Sequence, residues 1–237
     1  MSNLQPTSFT EVGRIHRSLL GSGKCSLVVT CAKGAEGTSL LSFLLAQRSV
    51  ESGKKTLLVD TNMKNTWASD ELNLERTPWE LSNTTKELKI AAKATQVAGS
   101  KNFWVLPAPK DEASILWLKE TKNAEKFIKA LEKDFDHVIV DTTPIGALNR
   151  QNVDPVVLAS VAKRATLVVL SGTTDADKAR TATRQLQEAG ADLKGVVLND
   201  AEKPAPKDQL LDMAARFSKI SPGFGSWLKN KVSRLEI

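Results

Sequence analysis

The chain has 237 residues, 41% hydrophobic and 25% charged, with a formal net charge of +6. That length supports one well-buried core, and no stretch approaches the roughly 18 consecutive apolar residues of a bilayer span. No apolar signal segment opens the chain, and its two cysteines, Cys25 and Cys31, are too few and too oddly spaced for a zinc site or a disulfide framework. A reduced cytosolic compartment is expected. The basic balance suits anionic partners such as lipid or nucleic acid and selects neither.

In chain order, residues 8–20 have helical spacing, with Val12, Ile15, Leu19 and Leu20 near one face. The run from Ser26 to Thr30 predicts a first strand, followed by a loop with Gly34 and Gly37 and an apolar helix over 39–50 that stops at Gly53. Lys55 to Val59 predicts a second strand ending on Asp60. After a mixed stretch, Phe103 to Leu106 reads as a strand halted by Pro107 and Pro109. A helix over 123–133 leads to a strand over 137–140 that ends on Asp141, and strands over 166–170 and 195–198 flank a helix over 177–189. Continuous apolar strands alternating with helices predict an α/β fold, a mostly parallel sheet covered by helices on both faces. Composition is even, with no repeat, so one domain is expected over 1–221, with Pro222-Gly223 setting off a tail over 222–237.

The segment Lys33-Gly34-Ala35-Glu36-Gly37-Thr38-Ser39 lies between a buried strand and a helix. Backbone N–H groups and the positive end of a helix can hold phosphate there. Gly34 and Gly37 let the backbone approach a ligand, and Ser39 on the first helical turn can offer a hydroxyl to Mg²⁺. Asp60 and Asp141 each end an apolar strand, at the carboxyl edge where ligands gather in open sheets. Either aspartate alone reads as a turn former; both, with the loop, read as a nucleotide–Mg²⁺ site.

These residues give the chain its resemblance to the MinD/ParA group of P-loop ATPases, particularly the cytoplasmic domain of bacterial tyrosine kinases of polysaccharide export. Val138 to Pro144, with three apolar residues, Asp141, two threonines and proline, resembles the Walker B pattern of those kinases. Leu57 to Lys64 sits where they carry a second acidic motif, Asp-x-Asp-x-Arg. Glu11, Arg14 and Arg17 reproduce the Glu-x-x-Arg-x-x-Arg pattern by which they assemble into rings. Leu106-Pro107-Ala108 and Gly195 to Asn199 are similar to family runs, and the resemblance implies that Asn199 contacts adenine. It also implies that Lys33 is the signature lysine reaching phosphate across a dimer interface. ATP or ADP with Mg²⁺ would then be held by Lys33, Gly34, Ala35, Glu36, Gly37, Thr38 and Ser39, with Ser39, Asp60 and Asp141 at the metal and both aspartates catalytic.

The departures carry weight. Thr38 stands where a P-loop has lysine, Ala35 replaces a common glycine, and Asn62 replaces the second acidic residue. Losing one charge-assisted phosphate contact costs roughly 1.5–3 kcal/mol, one to two decades of affinity. Binding is therefore expected with slow hydrolysis or none. The related kinases phosphorylate a C-terminal tyrosine cluster, and this chain contains no tyrosine, so tyrosine autokinase activity is not expected.

Glu11, Arg14 and Arg17 share one helix face, which by spacing alone reads as a solvated charged surface, with a subunit contact brought in by the resemblance. His16 and His137 are isolated in sequence and are expected to be structural. Phe224, Trp227, Leu228, Val232 and Leu235 form an apolar stripe bordered by Lys229, Lys231 and Arg234. That stripe suits docking on its own domain, an anionic membrane surface or a partner groove. The expected function is a nucleotide-controlled accessory of envelope polysaccharide synthesis or export. It would be cytoplasmic or peripheral at the inner membrane and would partner itself (dimer or ring) and a membrane polysaccharide co-polymerase or export protein. A positioning or partitioning ATPase at membrane or DNA, with nucleic acid the less favoured, is the alternative. A pseudo-ATPase interaction module is the other.

Overall fold

The computed structural model describes residues 10–63, 66, 69, 72–82, 88–147, 149 and 152–200. The predicted tail, Lys64 and residues 8 and 9 lie outside them. Seven strands form one sheet: β1 (Cys25–Cys31), β2 (Thr56–Asp60), β3 (Thr95–Gln96), β4 (Phe103–Leu106), β5 (His137–Asp141), β6 (Arg164–Leu170) and β7 (Leu193–Asn199). Their order is β3-β4-β2-β5-β1-β6-β7. Every described pairing is parallel except β3 with β4, so the sheet carries one short antiparallel edge. The fold is that of the P-loop NTPases, a parallel sheet between helical layers.

Strand alternation explains the continuous apolar runs, because successive side chains enter opposite layers. Val28, Leu57, Val59, Val138 and Val140 join one core. Leu27, Val29, Leu58 and Ile139 join the other. Helix α1 (Thr10–Leu19) and helix α2 (Thr38–Glu51) cover the second layer through Leu19, Leu20, Phe43 and Leu45. The first layer is covered by α3 (Glu112–Leu118), α4 (Thr121–Asp134), α5 (Pro155–Val161) and α6 (Ala176–Glu188). In α4 the buried positions Ala124, Phe127, Ile128 and Leu131 recur every three or four residues, which fixes its inward face. Gly53, at φ 78°, turns the chain out of α2 and donates its N–H to Val50 O at 2.9 Å.

Three features depart from the sequence reading. Helices α3 and α5 were not expected; each is opened by an aspartate, Asp111 accepting from Ser114 N–H and Asp154 from Val156 N–H. The two-residue strand β3 was not expected either. Finally, His16 and His137 are not isolated: their ring centroids lie 5.8 Å apart. His137 Nε2 is 3.1 Å from Gly23 O, a carbonyl that only accepts, so the neutral ring carries its proton there. Ser49 Oγ then faces His137 Nδ1 at 2.9 Å and His16 Nε2 at 3.0 Å, with Leu45 O, 2.8 Å away, as its alternative acceptor. Burial, the neighbouring His137 and nearby arginines push the His16 pKa down to about 4, and burial chiefly lowers that of His137. The two rings clasp α1 to α2 and β5, a structural role as expected.

Candidate functional site

Strand β1 delivers the chain into the loop at Cys31, and α2 takes it up at Thr38. Between them the backbone is left-handed at three positions: Gly34 at φ 120°, Ala35 at 58° and Gly37 at 89°. Ala35 therefore holds a conformation that glycine adopts without steric cost, at a penalty of about 1–2 kcal/mol. Space is as tight as torsion. A β-carbon on Gly37 would lie 2.6 Å from Asn199 Nδ2, and one on Gly34 would lie 3.2 Å from Pro144 Cγ.

The two strand-end carboxylates come together. Asp60 and Asp141 are register partners on β2 and β5, and both are 0% exposed. Asp141 is also in register with Val29, whose side chain enters the α2 layer, so the carboxylates point to the side of the sheet where α2 begins. The turns behind them are tied down. Thr61 N–H and Oγ1 both donate to Asp141 O, at 3.0 and 2.7 Å, and Asn62 N–H donates to Asp60 Oδ1 at 2.8 Å. Thr142 donates through N–H and Oγ1 to Val29 O at 3.2 and 3.0 Å. Thr30 Oγ1 donates to Thr143 O at 3.2 Å, and Gly146 N–H to Ala32 O at 3.0 Å. The Walker B-like turn and the loop thus form one hydrogen-bonded unit.

Within the loop, Lys33 and Ala35 are exposed, Gly34, Gly37 and Ser39 are half-buried, and Glu36 and Thr38 are buried. Thr38 Oγ1 finds no nitrogen or oxygen partner among the described residues, and the Cys31 thiol is the sulfur group beside it. Burial is the main cause that pushes Cys31 up to about 12, with Glu36 and Asp141 adding to it and the Thr38 hydroxyl opposing, so this thiol is inert. Asn199 Nδ2 donates to Glu36 O at 3.1 Å, which draws the end of β7 onto the loop. Thr174, in the turn after β6, was not anticipated: its hydroxyl donates to the Glu36 carboxylate. Nothing in its local sequence marks it, since only the fold brings it to residue 36.

Among the described residues no three His, Cys, Asp or Glu side chains converge as a metal cluster. Ser39, Asp60 and Asp141 offer only oxygen donors, and too few to enclose an ion. Such a set fits Mg²⁺, which keeps several waters and takes phosphate oxygens into its shell. Glu11, Arg14 and Arg17 are all exposed on α1. No helix among the described residues is long and apolar enough to cross a membrane.

No family model matches the chain. It is 31% identical over 180 residues to the tyrosine-protein kinase YwqD of Bacillus subtilis, an alignment covering 73% of this chain and 71% of that protein. The crystal structure of the chimerical protein CapA2B2 superposes with a TM-score of 0.67 at 21% identity, over 85% of this chain and 88% of the other. Cobyrinic acid a,c-diamide synthase from Mycobacterium smegmatis, with bound ADP and magnesium, gives a TM-score of 0.54 at 19% identity, over 90% and 94%.

Proposed function

This chain belongs to the bacterial tyrosine-protein kinase family, and on that premise we propose that it is an ATP-binding accessory of envelope exopolysaccharide synthesis or export. It acts by nucleotide-controlled assembly, with weak or no hydrolysis and without tyrosine autokinase activity. The observation that carries the reading is the register pairing of the buried Asp60 and Asp141, on the side of the sheet where the loop enters α2. A carboxylate pair at that place suits a divalent cation and a water, and the loop amides with the first turn of α2 suit the phosphates.

In this reading Gly34, Ala35, Glu36, Gly37, Thr38 and Ser39 hold phosphate, Ser39 and the aspartates hold Mg²⁺, and Asn199 borders the base. Lys33 is exposed, as a residue serving a second subunit must be. Glu11, Arg14 and Arg17 form a self-assembly face, and the tail over 222–237 contacts an anionic membrane or an envelope partner. The bound ADP and magnesium of the synthase of like fold support the choice of ligand. Thr38 removes the lysine charge that would steady the terminal phosphates, which supports slow turnover. The chain offers no tyrosine to phosphorylate.

Calorimetric titration of ATP and ADP with Mg²⁺ tests this. Weak binding that is lost in Asp141→Ala is expected, with no phosphotyrosine after incubation with labelled ATP. Absence of binding in the wild type leaves a pseudo-ATPase interaction module. Transfer of label to a partner, abolished by Asp60→Ala, overturns the non-kinase reading.

A further inference from the structure

The phosphate loop carries its own buried anion. Glu36 is 2% exposed, and its Oε2 accepts the Lys33 backbone N–H at 3.2 Å while its Oε1 accepts the Thr174 hydroxyl. Thr174 Oγ1 in turn accepts the Leu170 N–H at 3.0 Å. The Glu36 backbone carbonyl accepts from Asn199 at 3.1 Å. One residue therefore ties the loop to the turn after β6 and to the end of β7. The donors to its carboxylate, a backbone N–H, a hydroxyl and the Cys31 thiol, are neutral, and Glu36 enters no ion pair among the described residues.

Those ties need an acceptor but not a negative charge. Residues 33–39 contain one cation, Lys33, and one anion, Glu36, so their formal charges cancel. Thr38 adds none. A fixed, buried carboxylate repels a neighbouring phosphate, and the repulsion grows with the charge of the ligand. We infer that Glu36 is a specificity determinant of this loop, disfavouring triphosphate relative to diphosphate until a cation from outside the loop offsets it. The inference rests on the reading of the loop as a nucleotide site. It gives a physical reason for coupling triphosphate binding to assembly, because a second copy of the chain can supply the missing cation.

The test is calorimetry of the full chain with Mg²⁺–ATP, Mg²⁺–ADP and adenosine, on wild type, Glu36→Gln and Thr174→Val. Glutamine keeps an acceptor and removes the charge, whereas Thr174→Val cuts one tie and keeps the charge. Under conditions that keep the protein monomeric, the wild type is expected to bind ADP more tightly than ATP. Glu36→Gln should tighten ATP by about tenfold, tighten ADP less and leave adenosine unchanged, the order expected of a charge effect. Thr174→Val should not reproduce that order. If Glu36→Gln leaves the ATP-to-ADP ratio of a binding-competent protein unchanged, or weakens all three ligands alike, Glu36 only shapes the loop. Should that variant fail to fold, a wild-type monomer that prefers ATP overturns the inference by itself. No binding of any ligand by either protein removes the nucleotide reading along with it.

Discussion

Acidification should loosen the clasp that holds α1 before it reaches the rest of the core. His16 is 5% exposed and meets Ser49 Oγ at 3.0 Å, with the ring of His137 5.8 Å away. Its pKa is pushed from 6.5 down to about 4, mainly by burial, then by His137, Arg48 and Arg17. The unfolded chain therefore binds this proton first. Between pH 6.5 and about 4 the unfolded state holds more protons, so stability is fully present above pH 6.5 and falls as the pH falls through that window. Between pH 7 and 4.5 the loss from this one group is about 2 kcal/mol, at ~1.4 kcal/mol per tenfold. Urea denaturation of wild type and His16→Gln at pH 7 and 4.5 measures it. Glutamine can still donate to Ser49, and its variant should lose about 2 kcal/mol less on acidification. Equal losses in the two proteins would show that His16 is already protonated, or already loose, in the native state. Because α1 carries Glu11, Arg14 and Arg17, self-association should weaken over the same pH window.

Three further outcomes are expected. Gly37→Ala combines a left-handed backbone at φ 89° with a β-carbon 2.6 Å from Asn199 Nδ2. It should cost about 1–2 kcal/mol of stability in urea and weaken Mg²⁺–ATP more than a surface alanine does. Lys33→Ala should abolish any excess of ATP-induced over ADP-induced association in sedimentation; equal association with ATP, ADP and no nucleotide in the wild type would remove Lys33 from assembly. Removing residues 224–237 should leave the melting temperature unchanged and reduce attachment to anionic vesicles. A fall of several degrees with vesicle binding intact would mean that the stripe of Phe224, Trp227, Leu228 and Leu235 packs on its own domain.

Most of the fold was legible because the two signals it relies on are local. Each central strand is a β-branched run interrupted by a turn former, and both aspartates ended their strands as the sequence indicated: β2 at Asp60 and β5 at Asp141. What escaped was short or set by tertiary contacts. Strand β3 has two residues, both exposed, and exists through its antiparallel ladder with Val105 and Trp104. Helices α3 and α5 span seven residues each, too few for a hydrophobic period to declare itself. Their starts were nonetheless written in the chain, Asp111 three residues before Ser114 and Asp154 directly before Pro155.

The site divides along the same line. The loop and the aspartates could be proposed from spacing, because glycines and strand-end acids mark backbone requirements, whereas the α1 charges drew notice only through the family resemblance. The contacts that decide how the loop behaves could not. Glu36 meets Thr174 across 138 positions of sequence, and Ser49 meets His137 across 88. In both cases a hydroxyl or ring that looks unremarkable in its own segment becomes the partner of a buried polar group. Burial obliges such a group to find a partner, and only the strand order says which one is near. The sheet order sets β1 between β5 and β6, so the loop leaving β1 must pass between the turn carrying Asp141 and the turn carrying Thr174. An acidic residue in the middle of that loop is then held on the β6 side by Thr174, while the aspartates stand on the β5 side. The loop thus holds its own carboxylate on the β6 side and meets the aspartates on the β5 side, with Lys33 as its single cation, and on the inference drawn above a cation brought from outside would control what it binds.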